Sequence, residues 1–467
     1  MTVPVFAVVG HPNKGKSSIV STLTRQDAVR ISELSGTTTQ AQSFQLNLNG
    51  QCQYELVDTP GFQRPRQVLH ELEQSAVNAA GRPAAVKAFL SRQQAQPDSS
   101  YTDEVELLTP VMAGAGVIYV VDGAMPYSAE YEAEMTILQW TGQPRMALIN
   151  PIGGEDYVDQ WRDALSQFFS VVRVFDPLTA DDQKQRAVLS AFAELYDPWR
   201  VPLELAIDRI RQHDTRQHQQ CAQVISRHLV EMIGHTSDVK VPMDFAEASL
   251  KAHLRIKYQQ SLRDLEAQAQ RELQTLYAHL YLRTEGDRLD ADYPDLFDED
   301  AWYLFGLDRT RLVALSGSAG AAAGVAIDVG VGGSSLMLGA LAGGLLSSAA
   351  SFAATWKPTS LKVRGVPVAG KRLVAGPIKN LQFCFVILGR LLAFADAVRF
   401  RTHADRSVVQ LQDVGVKERM NRLSRTEQVR LTRLLQKANK GLSEKEMLQL
   451  EQTITMLQQP EPVNSPE

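Results

Sequence analysis

The sequence predicts an α/β domain with a mostly parallel sheet and flanking helices. A mainly α-helical region with an apolar Gly/Ala-rich helical hairpin follows it. Three observations predict this. Val3 to Val9 (VPVFAVV) is a short branched apolar run that passes through a glycine-bearing loop into the helical stretch SSIVSTLTR, the strand–loop–helix opening of a parallel sheet. From Leu250 to Leu280 apolar residues recur in steps of three and four, which is one helical stripe. Between Leu312 and Phe352 only Asp328 is charged, and glycine and alanine dominate.

A chain of 467 residues is long enough for two or three domains with sizeable cores. Its 48 basic and 53 acidic residues leave a net charge of −5, which argues against a generally basic nucleic-acid binder. Cys52, Cys221 and Cys384 lie far apart, without metal-ligand spacing or a disulfide framework, so a reducing compartment is expected. No signal peptide is read ahead of the first strand, and a cytoplasmic location is expected.

The loop reads Gly10-His11-Pro12-Asn13-Lys14-Gly15-Lys16-Ser17, followed by Ser18. This is the G-x-x-x-x-G-K-S phosphate-binding loop in its proper strand–loop–helix context. Its amides and the helix N-terminus face phosphates; Lys16 reaches the β/γ-phosphates, and Ser17 offers its hydroxyl to Mg²⁺. All nine residues are expected nucleotide contacts. Phe44, Leu46 and Leu48 then alternate with polar residues, Asn49-Gly50 makes a hairpin turn, and the returning strand ends in Asp58-Thr59-Pro60-Gly61. A DxxG here places the Asp58 carboxylate near Mg²⁺ and the Gly61 amide near the γ-phosphate. An upstream threonine in Ser35-Gly36-Thr37-Thr38-Thr39-Gln40 closes over the metal only when the triphosphate is bound. The segment around Thr38 is switch I, and the segment after Asp58 is switch II.

GHPNKGKSS, SGTTTQ and VDTPGF resemble the Era/TrmE-like branch of the translation-factor class of P-loop GTPases. The resemblance implies that Thr38 is the Mg²⁺ threonine, and that Asn13 holds a K⁺ ion that replaces an arginine finger. Phe62 stands where Ras-like GTPases carry a water-orienting glutamine, so catalysis is expected to come from a cation, backbone groups, a partner subunit or Gln63, and to be slow. Lys16, Asn13, Thr38 and Gly61 are the expected catalytic set. Val117 to Val121 and Met146 to Ile149 read as the next core strands. The second should lead into NKxD, but the chain reads Asn150-Pro151-Ile152-Gly153. Asn150 is in place and the guanine-reading acid is not; Glu155 and Asp156 come slightly late. Guanine preference therefore rests on the other motifs. Gln67 to Thr109 is an extended link, read either as an effector or lid insertion or as a solvated helical loop.

Beyond the GTPase domain, one helix or two is expected between Pro202 and Gly234, with the proline at its first turn. A second helix is expected from Asp244, capped with Glu247. The Leu250–Leu280 stripe suits a helical hairpin or bundle, with a dimeric coiled coil as the alternative. In the Gly/Ala segment, Gly320/Gly324 and Gly339/Gly343 are GxxxG pairs, and basic residues flank both ends, as in a hairpin with both ends on the cytoplasmic side. Its first arm, Leu312 to Ile327, makes ~24 Å of helix against a bilayer core of ~30 Å. A re-entrant or conditionally inserting hairpin, or a soluble glycine-packed helical pair, fits that length. Leu381 to Ala395, broken by Arg390, reads as core. Arg419 to Lys440 reads as a basic helix facing anionic lipid, nucleic acid or solvent, and Ser443 with Glu446 as the cap of a last helix.

The stretches EDAWYLFGL and LGRLLAFADAVRFRTHADR, with the Gly/Ala hairpin, also resemble bacterial GTPases that carry a C-terminal helical domain of unknown function. The expected layout is a P-loop GTPase domain over 1–197, a long-helix bundle or stalk over 198–310, the apolar hairpin and following helix over 311–400, a basic helical tail over 401–459 and a disordered tail over 460–467. The expected function is a GTP-hydrolysing switch at the cytoplasmic face of the bacterial inner membrane, using Mg²⁺ and K⁺. Its partners would be lipid through 312–352, an effector protein, and a second copy in a nucleotide-dependent homodimer. The alternatives are a soluble Era-like RNA or ribosome-assembly GTPase, for which no KH-type GxxG with basic flanks is seen, and a binding switch with negligible hydrolysis.

Overall fold

The computed structural model describes residues 3–26, 40–76, 78–96, 99–240, 247–277, 295–297, 354–358, 362–363, 366–367, 371–405 and 416–458. Thr38, the Gly/Ala segment 312–352, the expected cap at Asp244 and the 460–467 tail lie outside them. The chain forms two compact units, the first comprising Met1–Thr215, Ala278–Tyr281 and Phe400–Ser407, the second the remainder.

The first unit is built on a six-stranded sheet in the order β2-β3-β1-β4-β5-β6. Its strands are β1 (Val5–Val9), β2 (Gln42–Leu48), β3 (Gln51–Asp58), β4 (Gly116–Asp122), β5 (Arg145–Asn150) and β6 (Val172–Val174). Only β2 runs antiparallel, joined to β3 by a turn in which Asn49 and Gly50 both take positive φ, 52° and 74°. That is the primed hairpin geometry, which matches strand twist. Successive side chains of a strand face opposite sides of the sheet, and the core divides accordingly. Phe6, Val8, Ile118, Val120, Met146 and Leu148 pack with α1 (Lys16–Thr24) and α7 (Asp182–Leu195). Ala7, Val9, Val117, Tyr119, Val121, Ala147 and Ile149 face the other layer.

That other layer settles the long link. Gln67 to Thr109 is no solvated loop. It contributes most of α2 (Pro65–Ser75), all of α3 (Arg82–Gln94) and much of α4 (Thr102–Met112). These bury Val68, Leu72, Val86, Phe89, Leu107 and Leu108 beside α5 (Glu130–Trp140) and α6 (Val158–Leu165). The polar stretch Ser91 to Thr102 concealed this, because only part of each helix faces inward.

α8 is a single helix, Asp197–Gly234, and starts five residues before Pro202. Pro198 takes the early-helix position instead. Pro202 gives up one bond, the one its missing N–H would make to the Pro198 carbonyl, and the helix continues through it.

In the second unit, the stripe on α9 (Glu247–Leu276) buries Leu254, Tyr258, Leu262, Ala269 and Leu273 against Ile225, Leu229 and Met232 of α8. The dimeric coiled-coil alternative is thereby replaced by packing within the chain. A small antiparallel sheet joins β7 (Ser237–Lys240), β11 (Lys371–Ala375) and β8 (Ala354–Pro358). A two-strand pair, β9 (Lys362–Val363) with β10 (Val366–Pro367), lies between β8 and β11 in the chain.

At the centre of the second unit is α10 (Leu381–Arg399), whose run from Phe383 to Ala395 is buried throughout. A helix apolar on all sides needs neighbours on all sides, and α9, α11 (Val416–Met420), α12 (Arg425–Ala438) and α13 (Glu444–Leu457) supply them. Arg390 is accommodated by Glu266 of α9, which accepts from its Nε at 2.5 Å and its Nη2 at 3.1 Å. The expected basic helix of the tail is divided into α11 and α12. Arg419 is buried and donates to Asp396 at 2.5 Å, so it faces neither lipid nor solvent. Ser443 and Glu446 form the expected capping box, and Ser424 and Glu427 form a second one.

Replacing one partner of a buried ion pair strands the other charge, at a cost of about 3 kcal/mol. Glu266→Ala is therefore expected to lower the urea midpoint of the unfolding transition that added GTP does not move, and to leave the nucleotide-sensitive transition in place.

Candidate nucleotide-binding site

In an open α/β sheet, ligands bind beyond the carboxyl ends of the strands, where strand order reverses. Here that point is β1, flanked by β3 and β4, and the loop Gly10–Ser17 begins at its end. α1 starts at Lys16, with Gly15 in the left-handed region (φ 80°) as N-cap. A side chain at Gly15 would collide with Asn150, whose Nδ2 would lie 2.2 Å from the added Cβ. Gly61 is similarly constrained, since a Cβ there would come within 2.5 Å of the Pro12 nitrogen. The loop and DxxG thus approach too closely at Pro12 and Gly61 for a side chain to stand between them. The Phe62 N–H donates to the Gly10 carbonyl at 3.3 Å, and the Thr59 hydroxyl donates to the Val8 carbonyl at 2.8 Å.

Ser17 and Asp58 meet: the hydroxyl donates to Oδ2 at 2.7 Å. A hydroxyl and a carboxylate side by side are oxygen donors suited to a hard dication that keeps most of its shell for water and phosphate. The pair fits Mg²⁺ on the chemistry of its atoms. Lys16 is buried and donates to the carbonyls of Gly10 (3.3 Å) and His11 (3.0 Å). Burial pulls its pKa down to about 8, against the opposing pull of Asp58 and Glu134. Lys14 lies 3.4 Å from Asp122 at the end of β4. Asn150, at the end of β5, donates to the Lys14 carbonyl at 3.1 Å.

Most of the residues singled out in the sequence are therefore brought together: Gly10, His11, Pro12, Lys14, Gly15, Lys16, Ser17, Asp58, Gly61 and Asn150. Ser18 sits half-buried in the first turn of α1. Asn13 occupies the exposed loop tip with φ 60°. Glu155 and Asp156 are exposed at the approach to α6, and among the described residues no hydrogen bond brings either carboxylate to the loop. Phe62 is fully buried; it is a core residue of the switch II root.

Sequence reasoning missed Glu134. This buried acid on α5 accepts from the Tyr119 hydroxyl at 2.9 Å and contacts His11 Nδ1 at 2.9 Å. His11 also packs edge-on against Tyr131, with ring centroids 5.5 Å apart. The available signal was an acid between Ala133 and Met135, inside the apolar face of a helix.

Comparison with known proteins agrees with this geometry. Residues 5–148 match the model of the 50S ribosome-binding GTPase family. Residues 162–457 match the domain of unknown function DUF3482, well over half of the chain. The chain belongs to the DUF3482 family. Its N-terminal domain is a P-loop GTPase domain with GTPase Der among its relatives, and its C-terminal region is the helical DUF3482 domain. The DUF3482 match begins inside α6, so β6 and α7 of the GTPase sheet fall within it.

GTPase Der of Nitrosococcus oceani is 30% identical over 118 residues, 25% of each chain. GTPase Der of Mycoplasma pneumoniae is 43% identical over 68 residues, 15% of each. The chain thus spans a quarter or less of these curated relatives. The solved structure of an Aquifex aeolicus Era variant bound to GDP·AlF4⁻ aligns with 60% of this chain and 90% of its own, at 14% identity and a TM-score of 0.30.

Lys16 grips phosphate only when protonated, and its pKa near 8 places the change within reach of titration. Nucleotide binding opposes deprotonation. GDP affinity is expected to fall by up to about tenfold per pH unit above pH 8, with proton uptake on binding. Calorimetry in buffers of different ionisation enthalpy measures this. Glu134→Gln removes one of the charges holding that pKa up and should move the onset to lower pH.

Proposed function

We propose that this DUF3482 chain binds and hydrolyses GTP, cycling between states that a second component reads at the cytoplasmic face of a membrane. The observation that carries the catalytic half is the Ser17–Asp58 contact beside Lys16. Mg²⁺ held by these oxygens would neutralise charge on the β- and γ-phosphates. The chain's own residues do the rest. Loop amides would cradle the phosphates, Lys16 would supply a cation inside a desolvated site, and the Gly61 amide would meet the γ-phosphate. With Phe62 buried, no side chain at that position orients water. Asn13, exposed and left-handed at the loop tip, would supply a hard amide oxygen for K⁺, and Thr38 would close over Mg²⁺.

K⁺ is the testable part of the catalytic proposal. Turnover in KCl should exceed that in NaCl at equal ionic strength by at least tenfold, taking a lost transition-state charge contact as ~10²-fold. Asn13→Ala should remove the difference, and Lys16→Ala should abolish nucleotide binding. Equal rates in both salts would falsify the cation assignment while leaving GTP hydrolysis intact.

The membrane half rests on the composition of 312–352 and its basic flanks. The intact chain is expected to float with anionic liposomes more strongly with a GTP analogue than with GDP. Removal of 312–352 is expected to end flotation. An intact chain that stays at the bottom of the gradient in both nucleotide states sinks this half.

A further inference from the structure

α4 reaches the backbone beside both switches. Glu104, fully buried, accepts at Oε1 from the Gln63 N–H (2.9 Å) and from the Arg64 N–H (2.6 Å). These are the first two amides beyond Phe62, and Arg64 is the N-cap of α2. The Arg64 guanidinium donates in turn to the Ser100 carbonyl at 3.0 Å, just ahead of α4. Two residues along, Glu106 Oε2 accepts from the Ala41 N–H at 3.0 Å. Ala41 immediately precedes β2, on the exit side of the segment that contains Thr38.

Stability alone accounts poorly for Glu104. A glutamate in place of Gln67, at the third helical position, would accept from the Arg64 N–H locally with its charge left in water. Instead a carboxylate is carried in from a separate helix and desolvated, and its Oε2 is buried without a hydrogen-bond partner among the described residues. Burying a partly satisfied carboxylate costs free energy. What the arrangement provides is a fixed link between α4 and the switch II backbone that a local cap would not give.

We infer that α4 is a clamp in cis on both switches, and that Glu104 is a positioning residue for GTP hydrolysis. By holding the amides of Gln63 and Arg64, Glu104 fixes the chain leaving Gly61 and hence where the Gly61 amide stands against the phosphate loop. Glu106 anchors the exit of switch I on the same rigid helix. Movement of either switch toward the γ-phosphate must carry α4 along or break these bonds, so the nucleotide state reaches the layer of α2, α3 and α4. The inference rests on the GTPase reading for its catalytic part and on the hydrogen bonds alone for the clamp.

The test compares Glu104→Ala, Glu104→Gln and Glu106→Ala in the full chain. Glu104→Ala should exchange the amide hydrogens of Gln63 and Arg64 at least ~10-fold faster. Since misplacement of a catalytic group costs up to ~10²-fold, kcat should fall at least tenfold while the KM for GTP stays within about twofold. Glu104→Gln keeps an acceptor oxygen in the same shape and should recover most of the turnover. Glu106→Ala, at a half-buried site, should accelerate exchange at Ala41. Unchanged exchange at Gln63 and Arg64 in Glu104→Ala overturns the clamp whatever the parent's turnover. Fast exchange with unchanged kcat overturns the positioning role. A parent chain that binds no GTP overturns the GTPase reading instead, and the exchange measurement still decides the clamp.

Discussion

Val8 lies opposite Asp58 in the parallel pairing of β1 with β3, and the whole site depends on that register. It sets the end of β3 beside the start of the phosphate loop, so that Asp58 meets Ser17 in the first turn of α1. A slip of one residue would turn the Asp58 side chain to the other face of the sheet. It would also send Val57 toward Ser17. The register has polar support from the Thr59 hydroxyl on the Val8 carbonyl at 2.8 Å. It is also held by the alternation that sorts Phe6 and Val8 into one apolar layer and Ala7 and Val9 into the other. A slip would exchange the two sets and expose neither layer's proper partners. The core therefore brings Ser17 and Asp58 together.

Around that framework the protein keeps several ionisable side chains out of water. Lys16, Asp58, Glu104 and Glu134 are all buried in or beside the site. Lys16 shows the consequence: desolvation outweighs two nearby carboxylates, and its proton is held less firmly than on an exposed lysine. Incoming phosphate restores what desolvation removes, so part of the binding free energy comes from relieving a strained charge. Glu134 extends the effect outward. It fixes His11 from beneath the loop while adding negative potential at Lys16, so the second layer adjusts both the loop's shape and its charge.

Residues acting through local pattern were legible in the sequence. The phosphate loop, DxxG, the Asn49-Gly50 turn and the Ser443 cap all declare themselves within a few positions, because their geometry is closed by neighbours in the chain. Asn150 was legible only by its place after a core strand. Glu104 and Glu134 were not, because the groups that bring them to the site, the Gln63 and Arg64 amides and His11, lie 40 and more residues away in sequence. The extent of α8 was misread because proline was weighed as a helix start, whereas one missing hydrogen bond in a long helix is tolerable. Arg419 was misread because a basic stripe looks the same whether it faces solvent or Asp396.

The same limit governs the two apolar stretches of the C-terminal region. α10 has the length and mean hydropathy, 1.8, of a membrane span, yet 78% of that window is buried within the protein. The central Arg390, which would be costly in lipid, faces a carboxylate built for it on α9. Hydropathy measures only the wish to leave water; which apolar surroundings receive the helix depends on whether other elements offer a matching groove. The stretch 312–352 presents the converse chemistry. Alanine and glycine give a weak drive out of water, but they permit backbone contact on several sides. A segment of that composition gains little from lipid alone and much from a close partner. Any membrane role for it is therefore better founded on conditional insertion, tied to the state of the GTPase domain, than on a permanent span.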